Sequence, residues 1–289
     1  MLNKKTFGHR KASRRSAFSL IELSIVLIII GLLISGIIGG ASLIKSATLR
    51  SVMTEARGYN IASSAFYTKF NALPGDYNVV VSGPLTTTAG AGEVGNANGY
   101  IEYASSHATA ANQETLVAIK QLYQDGSLDA SMFGTYTYAG TAITTLAVAG
   151  TVPALVVKSH IPGGKIKASG WVFDSYTGSD GTVINMAMLT GGVSVGAAYV
   201  ASTAQNIGSD FTNYRILPIL TPQDALSIDT KMDDGVPNTG TVRPVAAKNA
   251  AGSTANTHTC GATAGVAATA YGTASTVNCA LGFRIDTTS

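Results

Sequence analysis

Charged side chains are scarce in this 289-residue chain, because Asp, Glu, Lys and Arg together make up only 12% of it. With 32 Gly residues besides, the composition favours β-structure with many turns over long, solvent-exposed helices. Cysteine is nearly absent: Cys260 and Cys279 are the only two. Two thiols without partnering His or Cys residues exclude a four-ligand zinc site.

Charge is completely absent between Leu23 and Ile44. At about 1.5 Å per residue, a helix over this stretch is roughly 33 Å long, which is enough to cross a bilayer. Residues 1–17 are basic, with six Lys and Arg and no acidic residue, whereas the rest of the chain carries 13 basic against 16 acidic residues. A basic arm can contact nucleic acid, but beside an apolar run the positive-inside rule favours a cytoplasmic flank. We therefore expect one membrane span, with both cysteines on the oxidising side and joined in a disulfide.

Beyond the span, mostly apolar residues recur every three to four positions, which predicts that one helix runs from about Phe18 to about Asn71. The residues of this stripe are Leu49, Val52, Met53, Ala56, Tyr59, Ser63, Phe66 and Phe70. The sequence Leu-Pro-Gly-Asp at residues 73–76 marks the end of the helix. A second helix is predicted from Asn112 to Tyr123.

The rest of the chain has the pattern of strands separated by Gly, Pro and Asp turns. The predicted strands are Tyr136 to Tyr138, Ala142 to Val148, Ala154 to Lys158, Gly170 to Asp174, Val183 to Leu189 and Tyr214 to Ile219. The small residues from Ala246 to Ala280 indicate a flexible tail. A disulfide between Cys260 and Cys279 would close and stabilise the end of that tail.

Residues 17–33 read AFSLIELSIVLIIIGLL directly after the basic leader. This segment resembles the N-terminal signature of type IV pilins and type II secretion pseudopilins, and the resemblance covers residues 10–73. It implies that a prepilin peptidase and methyltransferase cuts between Ala17 and Phe18 and methylates the new amine of Phe18. The family usually has Gly before the cut and often Thr after the Phe, where this chain has Ala17 and Ser19. Because alanine is also small, we expect cleavage, although it could be slower.

Glu22 is the one charged residue in the apolar stretch that follows the leader. A carboxylate within a membrane segment is a functional-site hypothesis, because its burial without a partner is costly. The resemblance implies a role in assembly, with Glu22 pairing to the Phe18 amine of a neighbouring subunit. The alternative is an acid at the level of the lipid headgroups.

Two patterns typical of enzymes also occur. Gly192–Gly196 matches the G-x-S-x-G nucleophile elbow, and Asp234 and His258 follow in the order of a hydrolase triad. The chain lacks the alternating βαβ pattern that such an elbow needs. His107 and His160, like His258, have no metal-ligand spacing, so we expect no enzymatic activity.

Three carboxylates, those of Asp229, Asp233 and Asp234, surround a glycine turn. Calcium favours oxygen-rich loops of this kind, but an ordinary Asp-Gly turn explains the same residues. The segment is not an EF-hand, because Lys231 stands where a ligand is needed. Gly95–Gly99 is likewise interpreted as a turn, with a metal-binding loop as the alternative. We expect no cofactor, with calcium at the three aspartates as the alternative.

The sequence thus predicts an α+β, pilin-like fold, with a long N-terminal helix packed on an antiparallel sheet and a disulfide-closed C-terminal loop. The expected organisation is a cleaved leader (1–17), a membrane-spanning and polymerising half-helix (18–44), an amphipathic half-helix (45–73) and a globular head (74–289).

The resemblance implies a structural subunit, a minor pilin or pseudopilin, that polymerises into a type IV pilus or a type II secretion pseudopilus. The alternatives are a major pilin and a membrane-anchored surface hydrolase. The implied partners are the prepilin peptidase, other pilin subunits, the inner-membrane assembly platform and membrane lipid, with no nucleic acid. The implied location is the bacterial inner membrane, with the head in the periplasm before assembly into a periplasmic or extracellular filament.

Overall fold

The computed structural model describes residues 19–79, 94–101, 114–128, 137–138, 141–142, 161–167, 169–177, 182–191, 216, 218–245, 260 and 270–285. The chain divides into two compact units, Met1–Ala47 and Thr48–Ser289.

Helix α1 spans Leu20–Phe70, which confirms the long N-terminal helix expected from the sequence. The helix ends where Asn71 takes a left-handed conformation with φ 51°, which asparagine tolerates better than most residues. The Asn71 amide donates to the Tyr67 carbonyl at 2.7 Å. The turn predicted from the Pro-Gly-Asp sequence follows at once, with Gly75 at φ 95°. A side chain at Gly75 would also stand 2.6 Å from the Glu114 carbonyl oxygen, so only glycine fits.

In the larger unit, the second half of α1 buries the apolar stripe expected from its sequence. The buried members are Leu49, Val52, Met53, Glu55, Ala56, Tyr59, Ala62, Ser63 and Phe66. Phe70 is only partly buried and packs against the core. Glu55 was not expected among these residues, and it is the one acid in the set.

Two further helices and six strands are described. They are α2 (Glu114–Gln124), β1 (Thr137–Tyr138), β2 (Thr141–Ala142), β3 (Ser169–Thr177), β4 (Val183–Gly191), α3 (Pro222–Met232), β5 (Val242–Pro244) and β6 (Leu281–Arg284). Strands β1 and β2 form a short antiparallel pair. The main sheet has the order β3-β4-β6-β5, and every neighbouring pair in it is antiparallel.

The main sheet is covered on both faces. Successive residues point to opposite faces of a strand, yet Trp171, Val172 and Phe173 in β3 are all fully buried. On one face, the Tyr59 ring of α1 lies 5.0 Å from the Trp171 ring and 5.7 Å from the Phe173 ring. The sequence-predicted α+β arrangement of a long helix and an antiparallel sheet is therefore present.

The turn predicted at 229–235 is wrong in its first half, because Asp229 belongs to the last turn of α3. This helix begins at a Thr-Pro-Gln-Asp sequence. The Thr221 hydroxyl accepts the Asp224 amide at 3.2 Å and donates to the Asp224 carboxylate at 2.8 Å. Pro222 takes the first helical position, where its missing N–H is harmless.

Other strand predictions have mixed outcomes. Predicted strands at 170–174 and 183–189 are confirmed as β3 and β4, each somewhat longer than expected. The predicted strand at 214–219 is wrong for Pro218 and Ile219, which lie outside any strand. Leu220 makes only an isolated bridge to Cys279. The strand predicted at 154–158 and residues 143–148 of another lie outside the described residues.

Candidate functional site

The first part of α1 presents an apolar surface to its surroundings. Every side chain from Leu20 to Gly39 is exposed, and most of them are large and apolar. The helix is long and apolar enough to cross a membrane. An apolar surface of this size marks a membrane or protein interaction site.

Glu22 lies in the first turn of this segment and takes part in its cap. Its Oε2 accepts a hydrogen bond from the Ser19 amide at 2.9 Å. The Ser19 hydroxyl accepts from the Ile21 amide at 3.4 Å. The predicted cleavage residues, Ala17 and Phe18, lie outside the described residues, as does the rest of the leader.

Glu55 is a buried carboxylate between the second half of α1 and the sheet. Its Oε2 accepts hydrogen bonds from the Lys165 amide at 3.0 Å and from Trp171 Nε1 at 3.3 Å. Burial raises the pKa of Glu55 above its ordinary value of 4.5, and the two hydrogen bonds act in the opposite direction. Sequence reasoning missed this residue, although its position between Val52 and Tyr59 in the apolar stripe was a signal.

Asp76 is a second buried carboxylate that sequence reasoning treated only as part of a turn. Its two oxygens accept the amides of Asn98 and Gly99, each at 2.8 Å. The Asn185 side chain of β4 holds the same loop, accepting the Ile101 amide at 2.9 Å and donating to the Gly99 carbonyl at 3.0 Å. These bonds explain the segment at residues 95–99 as a turn held by the Asp76 carboxylate and the Asn185 side chain.

The predicted carboxylate cluster of Asp229, Asp233 and Asp234 does come together. One oxygen from each of the three lies within 4.8 Å of the others. Burial raises the pKa of Asp229 to about 6, although a hydrogen bond from the Tyr271 hydroxyl acts to lower it. The Thr239 hydroxyl and the Val236 amide lower the pKa of the exposed Asp234 carboxyl.

Each carboxylate of this cluster is engaged by donors of the protein. The two Asp229 oxygens accept the Tyr271 hydroxyl at 2.7 Å and the Gly235 amide at 3.3 Å. Asp233 Oδ2 accepts the amides of Thr241 and Val242, the latter at 3.2 Å.

Calcium would need six to eight oxygen ligands at 2.3–2.6 Å, and three carboxylates supply only part of that set. The hydrogen bonds give the cluster a structural role in the loop after α3, and calcium binding stays a prediction.

The disulfide predicted between Cys260 and Cys279 is present. Cys279 is also held by the backbone, since its amide donates to the Leu220 carbonyl and its carbonyl accepts the Leu220 amide, each at 2.9 Å. Tyr271 lies within the loop that the disulfide closes and reaches Asp229 on α3. The described part of the small-residue tail is therefore held by hydrogen bonds to Asp229 of α3 and to the backbone of Leu220.

The residues of the alternative enzyme interpretation are not brought together in the described part of the chain. Gly192–Gly196, His107, His160 and His258 all lie outside it. Comparison with protein-family models, with curated proteins and with solved structures gives no match to this chain. The chain's own sequence and geometry therefore carry the functional argument.

Proposed function

We propose that this chain is a structural subunit of the type IV pilin and pseudopilin class. It is cleaved between Ala17 and Phe18, methylated on the Phe18 amine and polymerised through the first half of α1. Before assembly the subunit is stored in the bacterial inner membrane with its head in the periplasm. Its partners are the prepilin peptidase, further subunits and the assembly platform.

The observation that carries this proposal is that the two halves of helix α1 have different surroundings. Its first half is exposed and apolar, while its second half buries one stripe in the core of the larger unit. A helix with an apolar surface needs a bilayer or other apolar helices around it. A subunit that moves from a membrane pool to a filament provides both in turn.

Two sequence features favour a minor pilin or pseudopilin over a major pilin. No proline occurs between Phe18 and Leu73, unlike in many major pilins, and the head, residues 74–289, is large for the family.

The mature N-terminus tests the proposal. Intact mass and N-terminal peptide analysis of protein taken from membranes should show loss of residues 1–17 and a methylated Phe18. Ala17→Gly, which restores the family's usual residue, should be cleaved at least as fast as the wild type. Ala17→Arg, with a bulky charged side chain at the cut, should keep its leader. Wild-type protein that retains residues 1–17 would contradict the proposal and favour an uncleaved anchor.

A further inference from the structure

Asn98 is the only asparagine in the chain that a glycine follows. Both residues of the pair are exposed, and Gly99 has a left-handed conformation with φ 88°. Because glycine has no side chain, its backbone can approach a neighbouring group closely, and nothing on residue 99 obstructs its nitrogen from the Cγ atom of Asn98. Attack of this kind releases the side-chain amide as ammonia, which is what makes asparagine a labile residue.

Two hydrogen bonds prepare the groups that such an attack needs. The Gly99 amide donates to Oδ2 of Asp76 at 2.8 Å, and the Asp76 side chain is buried. A carboxylate within hydrogen-bond reach of the proton to be removed meets the geometric requirement for a general base. The Tyr100 amide donates to Oδ1 of Asn98 at 2.9 Å. This donor therefore lies at the oxygen on which negative charge develops when the side-chain carbonyl is attacked.

We propose that Asn98 is a site of intramolecular deamidation that the fold itself promotes, with Asp76 as the general base. The substrate is the Asn98 side-chain amide, and water is the co-reactant. The site lies in the head and uses only residues of one chain. The inference is therefore independent of the proposed function and of any assembly of subunits.

The reaction has two steps. In the first, Asp76 takes the proton of the Gly99 amide, and the nitrogen of Gly99 forms a bond to Cγ of Asn98. The bond from Cγ to Nδ2 then breaks, and Nδ2 leaves as ammonia with the proton that Asp76 had taken. In the second, water opens the resulting succinimide at either of its carbonyls and leaves aspartate or isoaspartate at position 98. An amide and water become a carboxylate and ammonium, so no oxidant or reductant is needed.

The products loosen the loop that formed them. The Asn98 amide also donates to Asp76, at Oδ1 and 2.8 Å, so the new carboxylate at position 98 is close to an existing one. Two nearby carboxylates disfavour each other's charge. Isoaspartate in addition lengthens the main chain by one methylene, between the two amides that Asp76 accepts.

The contribution of the fold is measured by comparing one protein in two states. The full-length, detergent-solubilised chain is incubated at neutral pH, either folded or unfolded in urea, and peptide mapping by mass spectrometry follows aspartate and isoaspartate at position 98. Asn96 in the same loop is the internal control. The amide that follows it, of Ala97, donates to the backbone carbonyl of Asp76 at 3.0 Å, and a carbonyl cannot act as the base.

We expect Asn98 to deamidate faster in the folded chain than in urea, and Asn96 to be slower in the folded chain than in urea. Asp76→Asn keeps an oxygen that can accept the Gly99 amide but cannot take its proton. This variant should lower the folded rate at Asn98 about 100-fold and leave the rate in urea unchanged. Thermal melting of the variant shows whether its head is folded.

Two results would overturn the proposal. A folded wild type that deamidates at Asn98 no faster than the unfolded chain would show that the loop protects the pair. An unchanged rate in folded Asp76→Asn would show that the Asn-Gly sequence reacts without a base from the fold. If Asp76→Asn does not fold, the comparison of folded with unfolded wild type decides the question, because it needs no variant.

Discussion

Trp171 Nε1 donates a hydrogen bond to the Glu55 carboxylate at 3.3 Å, in the buried contact between α1 and β3. The Lys165 amide donates to the same oxygen, Oε2. One oxygen thus joins the helix to a strand and to the loop before that strand. Because Trp171 is the only tryptophan in the chain, its fluorescence reports directly on this contact.

Replacing Glu55 should separate the role of the acceptor oxygen from that of the charge. Glu55→Ala leaves the buried indole N–H without a partner, and we expect a loss of about 2 kcal/mol in the free energy of unfolding. Glu55→Gln keeps an oxygen that can accept both bonds and should be at least as stable as the wild type at pH 7. Urea unfolding of the detergent-solubilised chain, followed by Trp171 fluorescence, measures both. Equal midpoints for the Ala and Gln variants would show that the hydrogen bonds contribute nothing.

The difference in stability between the wild type and Glu55→Gln should also depend on pH. The pKa of Glu55 is raised in the folded state, so the stability linked to its proton is complete below the ordinary value of 4.5 and is lost as pH rises through the folded value. Relative to Glu55→Gln, the wild type should therefore lose stability as the pH rises above 4.5. Unfolding midpoints of the two proteins across this rise in pH give the difference, in which the other titrating groups cancel. A difference that does not change with pH would mean that the burial of Glu55 leaves its pKa unshifted.

Breaking the disulfide should destabilise the C-terminal part of the head. Cys260 and Cys279 are 19 residues apart, and closing a loop of this size contributes about 3 kcal/mol through chain entropy. Reduction frees the loop that carries Tyr271, so we expect faster hydrogen exchange in α3 and β6. The Cys260→Ser, Cys279→Ser double variant should unfold like the reduced wild type and should not respond to reductant. Unchanged exchange in α3 after reduction would show that Tyr271 holds the loop without the disulfide.

The loop after α3 should fold without metal, because protein donors already engage its carboxylates. Asp233 accepts two backbone amides, so Asp233→Ala should cost about 2 kcal/mol. The exposed Asp234 serves as the comparison, and its replacement by Ala should cost less. EDTA should leave the melting temperature unchanged. A rise in melting temperature with calcium but not magnesium, lost in Asp234→Asn, would instead establish the calcium site.

Loss of the Glu22 charge should block assembly while sparing insertion. Glu22→Ala makes the anchor more apolar, so the membrane pool and leader cleavage should be retained. An incoming amine in the apolar bundle would then lack a counter-charge, which costs several kcal/mol, and filament yield should collapse. Yield in sheared fractions against pool abundance measures this. A wild-type filament yield in Glu22→Ala would show that Glu22 is only an acid tolerated near the lipid headgroups.

Sequence periodicity was sufficient to predict the helices and strands that are long and have a regular residue pattern. Helix α1 was predictable to within two residues at its start, because its apolar spacing continues without a proline from Phe18 to Leu73. Strands β3 and β4 carry enough aromatic and β-branched residues to stand out. Strands β5 and β6 have only three and four residues, too few for a pattern to be visible.

The site was predictable only where local chemistry defines it. Glu22 is conspicuous as an acid in an apolar run, and Cys260 and Cys279 pair because no other cysteine exists. The burial of Glu55 and Asp76 arises from contacts with residues 20 or more positions away. The partners in these contacts are not visible in the local sequence, where the only sign is the position of Glu55 within the apolar stripe of α1.

The position of β6 sets the order in which the head can be completed. This strand comes last in the chain among the described strands, yet it lies in the interior of the sheet between β4 and β5. During synthesis, β5 has no neighbour in the described sheet to pair with until residues 281–284 have also been made. The sheet is therefore completed only when the last described strand has been synthesised, and a nascent chain stalled before residue 281 exposes an unpaired edge on β4 to chaperones and proteases.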